Sequence, residues 1–298
     1  MFGRASVGQS VGIGVVVAGA MLCLVALSAA VVGASAAGST GSSLATQSSE
    51  DPVEIRRSRA DTVVNTPITL DAVGEFDSHE WRVIDRPAGS NAQLRNVTTG
   101  VVSLQPDRPG EYVVRVRADG RTGRIAFDAR AQTAVIAAYA PRLHFHPGTT
   151  YQPTRVEALF ENANLRRAGG DPVVEGPLTA FDLANRSDSH YLDLHGSRSA
   201  YPDYQAAFDP TVYANYVPNV TFEGEQYAAI NYWFVYTFDP KHGFARFGAH
   251  QGDVEWTTVL LQDGEPAYAF PAAHGAETRV PYDQWAGADG RLDLYPEH

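Results

Sequence analysis

Cysteine is almost absent from this chain, which has 298 residues and a single cysteine, Cys23. Because Cys23 lies in an apolar N-terminal run, everything after it lacks a thiol. That part of the chain therefore cannot form a disulfide, a thiolate zinc site or a cysteine nucleophile. The chemistry of any site must come from carboxylates, imidazoles, hydroxyls and amides.

Lysine and net positive charge are also scarce. Lys241 is the single lysine, and the formal net charge is −11 at pH 7. Affinity for nucleic acid comes mainly from a basic surface that releases counterions from phosphates. We therefore expect no nucleic-acid partner for this acidic protein. Because 44% of the residues are hydrophobic, the chain can bury a sizeable core, and it is long enough for two modest domains.

The N-terminal region has no charged residue between Arg4 and Glu50, and residues 11–38 are almost wholly apolar. This run reaches the roughly 20 residues that a helix needs to cross a bilayer, whereas the apolar part of a secretory signal has roughly 7 to 15. We predict a signal anchor or transmembrane helix over residues 1–40 and a flexible linker over residues 41–56. The bulk of the chain would then be extracellular on the cell membrane, or secreted if the N-terminal segment is cleaved.

Between residues 57 and 132, short segments alternate between apolar and polar residues and are separated by turns. A period of two at this spacing predicts an all-β sandwich. Within residues 111–118 the alternation places Tyr112, Val114 and Val116 on the core face.

The same region carries the motifs of a known extracellular module. Trp81 is followed by Pro-Ala-Gly-Ser at residues 87–90 and by Pro-Asp-Arg-Pro-Gly-Glu-Tyr at residues 106–112. This string resembles polycystic-kidney-disease-type (PKD) and related immunoglobulin-like repeats. The resemblance implies an immunoglobulin-like β-sandwich that acts as a spacer or an adhesion surface, with Trp81 and Tyr112 packed in its core.

Residues 133–298 predict a second, mostly β domain that is sandwich-like and contains one or more short helices. Residues 227–238 are apolar and aromatic at both parities, which predicts a central strand covered on each face. Residues 139–153 predict a strand that ends in a turn. Residues 154–170 predict a helix, because Thr154 and Glu157 stand at capping-box spacing and apolar residues follow on one face.

The densest run of metal-ligating residue types is Gly-Ala-His-Gln-Gly-Asp-Val-Glu-Trp at residues 248–256. Asp253 and Glu255 lie on one face of a strand, where a divalent cation would offset their repulsion. His250 has the opposite parity, so its imidazole reaches the same point only if the backbone kinks at a glycine such as Gly252.

This pattern predicts a metal site formed by His250, Asp253 and Glu255. Oxygen ligands favour calcium or magnesium, and the imidazole shifts the preference towards manganese or zinc. An exposed polar strand face without metal is the alternative, because short patterns of these residue types are common.

Two segments of the second domain resemble the vacuolar protein sorting-associated 62 family. They are Ile-Asn-Tyr-Trp-Phe-Val-Tyr at residues 230–236 and His-Gln-Gly-Asp-Val-Glu at residues 250–255. The resemblance extends over about residues 139–298. A similar histidine, aspartate and glutamate string occurs in the necrosis-inducing secreted proteins, which are β-sandwiches in which those side chains bind a divalent cation. Carried over by position, the resemblance implies the same three ligands.

Three departures from the family pattern bear on this expectation. Val254 stands where the family has tryptophan, and Gln251 stands where it has an acidic residue or histidine. The chain also stops at His298, before a further segment of the family, so we expect the last strand or strands to be missing.

The favoured function is binding at the cell surface, with the cation ordering a loop or contacting an oxygen-rich ligand such as a carbohydrate or a lipid headgroup. A metal-dependent hydrolase is the rival, in which Glu255 or His250 would relay a proton. A truncated relative without metal is the third reading. His144 and His146 share a predicted strand face and form either a second metal site or a packed, hydrogen-bonded pair.

Overall fold

The computed structural model describes residues 52–60, 62–145, 147–184, 186–187, 189–240, 249–273 and 276–296. The predicted signal anchor and most of the predicted linker lie outside these ranges. No helix within them is long and apolar enough to cross a membrane. The fold is mainly β, as the sequence predicts, and its helices are short.

The first eight strands form two sheets. Their bounds are β1 (Ile55–Arg57), β2 (Thr62–Val63), β3 (Ile68–Ala72), β4 (His79–Asp85), β5 (Leu94–Arg95), β6 (Val101–Leu104), β7 (Gly110–Ala118) and β8 (Arg121–Arg130). One sheet has the order β1-β3-β6-β5 and the other has the order β2-β8-β7-β4. Strand β2 runs parallel to β8, and the other pairs are antiparallel.

One apolar cluster holds these two sheets together as a sandwich. Leu70 and Leu104 enter it from the first sheet, and Tyr112, Val114 and Val116 enter it from the second, all with no exposed surface. The predicted core face of β7 is therefore confirmed. Burial of five large side chains is worth on the order of 10 kcal/mol, at roughly 1.5 to 3 kcal/mol for each.

The polar atoms of Trp81 and Tyr112, the two aromatic residues predicted in this core, also have hydrogen-bond partners. The indole nitrogen of Trp81 donates to the Thr99 carbonyl oxygen at 2.9 Å. The Tyr112 oxygen accepts from the Arg108 backbone N–H at 3.1 Å, and its hydroxyl faces Asp107 Oδ1 at 3.1 Å. Both residues are buried as predicted, and their hydrogen bonds remove the cost of burying a polar atom.

The chain after residue 130 contains the other elements. Their bounds are α1 (Gln132–Ala138), β9 (Arg142–Leu143), α2 (Glu157–Phe160), β10 (Ala163–Arg167), β11 (Pro172–Val174), α3 (Ala180–Leu183), β12 (His190–Leu194), a 3₁₀ turn (Arg198–Ala200), α4 (Tyr201–Ala206), β13 (Val212–Phe222), β14 (Glu225–Asp239), β15 (His250–Gln262), β16 (Glu265–Ala273), β17 (Ala276–Glu277), β18 (Val280–Pro281), α5 (Tyr282–Trp285) and β19 (Asp293–Leu294).

These strands form one large sheet and two small ones. The large sheet has the order β13-β14-β15-β16-β17, and β18 also pairs with β16. A three-stranded sheet has the order β11-β10-β12, and β19 pairs in parallel with β9. The main apolar cluster of this region gathers side chains from the large sheet, the three-stranded sheet and the helices.

Strand β14 is the central strand predicted from residues 227–238. Ile230, Tyr232 and Tyr236 are fully buried in the main cluster, whereas Tyr227 and Ala229, at the other parity, are buried in a smaller cluster. Apolar contacts on both faces explain why this segment shows no polar alternation.

The predicted helix over residues 154–170 is wrong over most of its length. Helix α2 has a single turn, and Ala163–Arg167 is strand β10, which pairs with both β11 and β12. Ala163 and Leu165 point into the main cluster at a spacing of two. Pairing on both edges thus outweighed the local helical pattern.

The predicted capping box at Thr154 and Glu157 is also wrong. Thr154 donates its backbone N–H to the Val235 carbonyl oxygen at 2.8 Å and is buried. The Glu157 carboxylate pairs with Arg155 at 3.0 Å. Likewise the strand predicted over residues 139–153 is limited to the two residues of β9.

The Asp107 carboxylate next to Tyr112 makes the sandwich sensitive to acid. The Ser90 hydroxyl and the Asn91 backbone N–H donate to it at 2.5 and 2.7 Å, and they lower the pKa of Asp107 from 3.8 to about 2. Because the folded pKa is the lower one, this stabilisation is complete above pH 3.8 and is lost as the pH falls through about 2.

We expect Ser90→Ala to raise the pKa of Asp107, because the largest hydrogen bond to the carboxylate is removed. A nuclear magnetic resonance titration of the Asp107 carboxyl in both proteins measures this. The control is Ser78→Ala, which removes a similar hydroxyl from Asp119 and should leave Asp107 unchanged. An Asp107 that titrates at its ordinary value in the unmodified protein would contradict the assignment.

Candidate functional site

The predicted metal ligands lie at the start of β15, and the pairing with β14 decides where they point. The register gives three cross-strand pairs: His250 with Asp239, Asp253 with Tyr236, and Glu255 with Phe234. Residues directly opposite each other share a face, and the face alternates along each strand. Because Asp239 and Tyr236 are three positions apart, His250 lies on the opposite face from Asp253 and Glu255.

The kink predicted at Gly252 is present, but the imidazole beside it makes other contacts. Gly252 has a φ of +64°, in the left-handed region. His250 Nδ1 donates to the Gly252 carbonyl oxygen at 3.0 Å, and its Nε2 lies 3.5 Å from Oδ2 of the buried Asp239. The backbone turn therefore brings His250 to Asp239 and not to the two acids.

These side chains, as placed, do not fit a three-ligand metal site. Among the described residues, no group of three or more histidine, cysteine, aspartate or glutamate side chains could hold one metal ion. The physical reason is the regular β14–β15 register, which separates His250 from Asp253 and Glu255. Cation binding by the two acids alone stays a prediction.

The charges of Asp253 and Glu255 instead affect the ionisation of the Tyr236 hydroxyl. Tyr236 is fully buried, and one carboxylate oxygen of Asp253, Oδ2, is also closed off from solvent. Burial raises the pKa of Tyr236, and the negative charges of Glu255 and Asp253 raise it further. The two acids therefore disfavour ionisation of the Tyr236 hydroxyl.

A cleft of about 520 Å³ opens beside Glu255. Strands β14, β15, β16, β9 and β19 and helix α5 all contribute residues to its lining. The lining residues are Leu143, Phe234, Tyr236, Glu255, Trp256, Pro271, Trp285, Asp293, Leu294, Tyr295 and Pro296. Its size lies in the range of small-molecule sites.

Aromatic side chains at the mouth of the cleft reach solvent. Trp285 is 41% exposed and Tyr295 is 72% exposed, unusually high values for large apolar residues. Exposed aromatic rings around a concave site are typical of ligand-binding surfaces.

The second carboxylate of the cleft, Asp293, is held by an ion-pair network. His144 Nε2 donates to Asp293 Oδ1 at 2.7 Å, and Arg142 Nε lies 3.1 Å from the same oxygen. The hydrogen bond from His144 lowers the pKa of Asp293, and the charge of Arg142 acts in the same direction. The His144 ring also stacks on Tyr295, with ring centroids 4.8 Å apart. His144 therefore has a hydrogen-bonded role, whereas His146 lies outside the described residues.

The arrangement combines two means of holding an organic ligand. Aromatic faces offer flat apolar contact, and the carboxylates of Glu255 and Asp293 can accept hydrogen bonds from hydroxyl or ammonium groups. No local pattern indicates Trp285, Asp293 or Tyr295 in the sequence, since folding brings them to Glu255 from distant positions. The one feature of the sequence that could have indicated them is that aromatic and acidic residues are frequent in the segment that contains all three.

Comparison with protein-family models and with curated proteins finds no match for this chain. The resemblances to the vacuolar protein sorting-associated 62 family and to PKD-type repeats therefore stay predictions. The candidate functional site is therefore defined by the geometry of the cleft.

We expect His250→Ala to leave any affinity for calcium, magnesium, manganese or zinc unchanged, because the imidazole lies on the other sheet face from the acids. Isothermal titration calorimetry with each metal checks this, beside the double variant Asp253→Asn with Glu255→Gln. If His250→Ala lowers metal affinity as much as the double variant does, the three-ligand site predicted from the sequence is right.

We expect Gly252→Ala to lower the free energy of unfolding by about 1 kcal/mol, because an alanine is strained at a φ in the left-handed region. Steric overlap does not contribute, since the nearest side-chain atom to an added Cβ, Leu159 Cδ2, is 3.6 Å away. Urea denaturation measures the change. Gly100→Ala is the control, because Gly100 has no positive φ and an added Cβ meets His79 at an ordinary 3.4 Å. Equal stability of Gly252→Ala and the unmodified protein would show that the kink is not strained.

Proposed function

We propose that this protein is a membrane-anchored or exported binding module of the cell surface that holds a carbohydrate in the cleft between β14–β15 and β9–β19. The observation that carries this proposal is the lining itself, in which exposed aromatic rings surround two carboxylates. The exterior location is supported by the apolar sequence of residues 11–38.

A sugar ring matches the two kinds of surface in the cleft. Its C–H groups present an apolar face that packs on Trp285 or Tyr295, and its hydroxyls donate to Glu255 and Asp293. Because Asp293 is fixed by His144 and Arg142, its free lone pairs are preorganised and less entropy is lost on binding.

Binding is favoured over metal-dependent hydrolysis. The hydrolase reading requires a cation that activates water and a proton relay by Glu255 or His250. In the described residues, His250 faces Asp239 and no three-ligand group is formed. The three side chains that the hydrolase hypothesis needs as metal ligands are therefore not brought together in the described residues.

We expect Trp285→Ala to weaken carbohydrate binding by about fivefold, since loss of one stacked aromatic ring removes roughly 1 kcal/mol. A panel of immobilised oligosaccharides identifies a ligand for the purified protein, and calorimetry then compares the variants. Vesicles of phosphatidylcholine and phosphatidylglycerol are tested in parallel.

The matched control is Phe181→Ala, which removes an aromatic ring that is 89% exposed on α3 and does not line the cleft. It should leave the affinity unchanged. Binding to vesicles without binding to any sugar, or an equal loss in both variants, would contradict the proposed function.

A further inference from the structure

Four arginines lie together on the outer face of the sheet β2-β8-β7-β4. Arg82 on β4 is paired with Arg115 on β7, and Arg115 is paired with Arg124 on β8. Arg117 follows two positions further along β7 and therefore shares this face. All four residues are exposed, whereas the inner face of β7 is apolar and buried. We call these four residues the arginine patch.

The positive charge of the arginine patch is offset only in part by its neighbours. Arg82 pairs with Glu80. In the part of the chain that the structure describes, the side chains of Arg115, Arg117 and Arg124 take part in no ion pair or hydrogen bond. Side chains directly opposite each other in a sheet are roughly 5 Å apart, and like charges at this distance repel. A bound anion would relieve that repulsion, and a guanidinium matches a phosphate through two parallel hydrogen bonds.

The net charge of −11 does not prevent anion binding at this patch. Charges at a protein surface are screened beyond roughly 8 Å at physiological ionic strength, so the nearby charges decide. The acidic residues of β7 and β8 on the same face, Glu111 and Asp128, are paired with each other. Glu111 is roughly 13 Å from Arg115 along β7, at about 3.3 Å for each residue. The face is therefore positive at one end and negative at the other.

The N-terminal segment joins the sandwich at the positive end of this face. The backbone N–H of Val53 donates to the Thr122 carbonyl oxygen at 3.3 Å, and Thr122 is the partner of Arg117. The chain leaves the sandwich for the second region at the other end of β8, after Arg130. The arginine patch thus lies towards the end of the sandwich at which the N-terminal segment enters.

The predicted anchor would hold this end of the sandwich close to a membrane. The apolar run of residues 11–38 is long enough to cross a bilayer, and residues 39–51 connect it to the first described residues. A linker of this length has an end-to-end distance of roughly 20 Å. The phosphates of the bilayer surface are therefore an anionic partner at high effective concentration.

We propose that the arginine patch docks on anionic lipid headgroups of the membrane that holds the anchor, so that the sheet β2-β8-β7-β4 faces the bilayer. This inference rests on the membrane-anchored part of the proposed function and does not depend on carbohydrate binding. Each arginine at the bilayer surface strengthens docking about fivefold. The same headgroups repel Glu111 and Asp128, which tilts the acidic end of the face away from the bilayer.

Energy transfer from the sandwich to the headgroups measures this docking on the full chain. A donor dye is attached at Ala126→Cys, an exposed position on the same face of β8, in a Cys23→Ser background. The labelled protein is reconstituted into nanodiscs of phosphatidylcholine that carry an acceptor dye on a headgroup, with or without phosphatidylglycerol. We expect stronger transfer with phosphatidylglycerol, and we expect added salt to remove the difference.

The double variant Arg115→Gln with Arg124→Gln should lower the ratio of docked to undocked molecules by about fivefold for each arginine removed. The matched control is Arg95→Gln with Arg167→Gln, which removes the same charge from exposed positions on β5 and β10, outside the patch. The control should leave the transfer unchanged. Unfolding midpoints show whether each variant is folded, and the salt response of the unmodified protein tests the inference if the double variant is not.

The outcomes separate the inference from the function beneath it. Equal transfer in the two lipid compositions, or an equal loss in the double variant and its control, would overturn docking through the arginine patch and leave the anchor in place. Binding of dextran sulfate through the patch, with equal transfer in both lipids, would make the partner an acidic polysaccharide and the lipid proposal wrong. Failure of the full chain to remain with nanodiscs of either composition would overturn the membrane anchoring, and the inference with it.

Discussion

The antiparallel pairing of β14 with β15 is the constraint on which the candidate site depends. β14 is buried on both faces, so a slip of one residue would drive its polar neighbours into the core. The register is therefore fixed by apolar packing along β14, which includes Phe234 and Tyr236, the partners of the two acids. It places Asp253 and Glu255 beside Tyr236 and sends His250 to Asp239.

The part of the cleft lining formed by β9 and β19 combines apolar packing with polar contacts, since Leu143 and Leu294 pack against the main apolar cluster. Strands β9 and β19 have two residues each, too few to form a stable pair by themselves. Asp293 compensates by joining Arg142 and His144, and the stack of His144 on Tyr295 continues this contact towards the mouth of the cleft. Apolar packing and polar contacts together thus hold this part of the lining.

The local sequence pattern was sufficient to predict strands whose buried residues lie on one face or on both faces. The alternation of Tyr112, Val114 and Val116 and the uniformly apolar β14 could be predicted for this reason. The kink at Gly252 could also be predicted, because glycine adopts a positive φ without strain.

The sequence failed where distant pairing decides the structure. Residues 163–167 have a helical pattern, yet two strands from further along the chain pair with them. The meeting of Glu255 with Trp285 and Asp293 is likewise set by topology. The direction of the His250 ring could not be predicted, because it depends on which residue of β14 pairs with His250. The sequence of β15 alone does not indicate that partner.

The contact between β9 and β19 has a consequence for synthesis of the protein. His144 and Asp293 are 149 residues apart in the chain, so β9 leaves the ribosome long before its partner exists. The sandwich of β1–β8 can fold during translation, whereas the cleft cannot form until β19 has been synthesised. Docking of β19 on β9 is therefore a non-local and slow kind of contact to form, unlike the hairpin pairings of the large sheet.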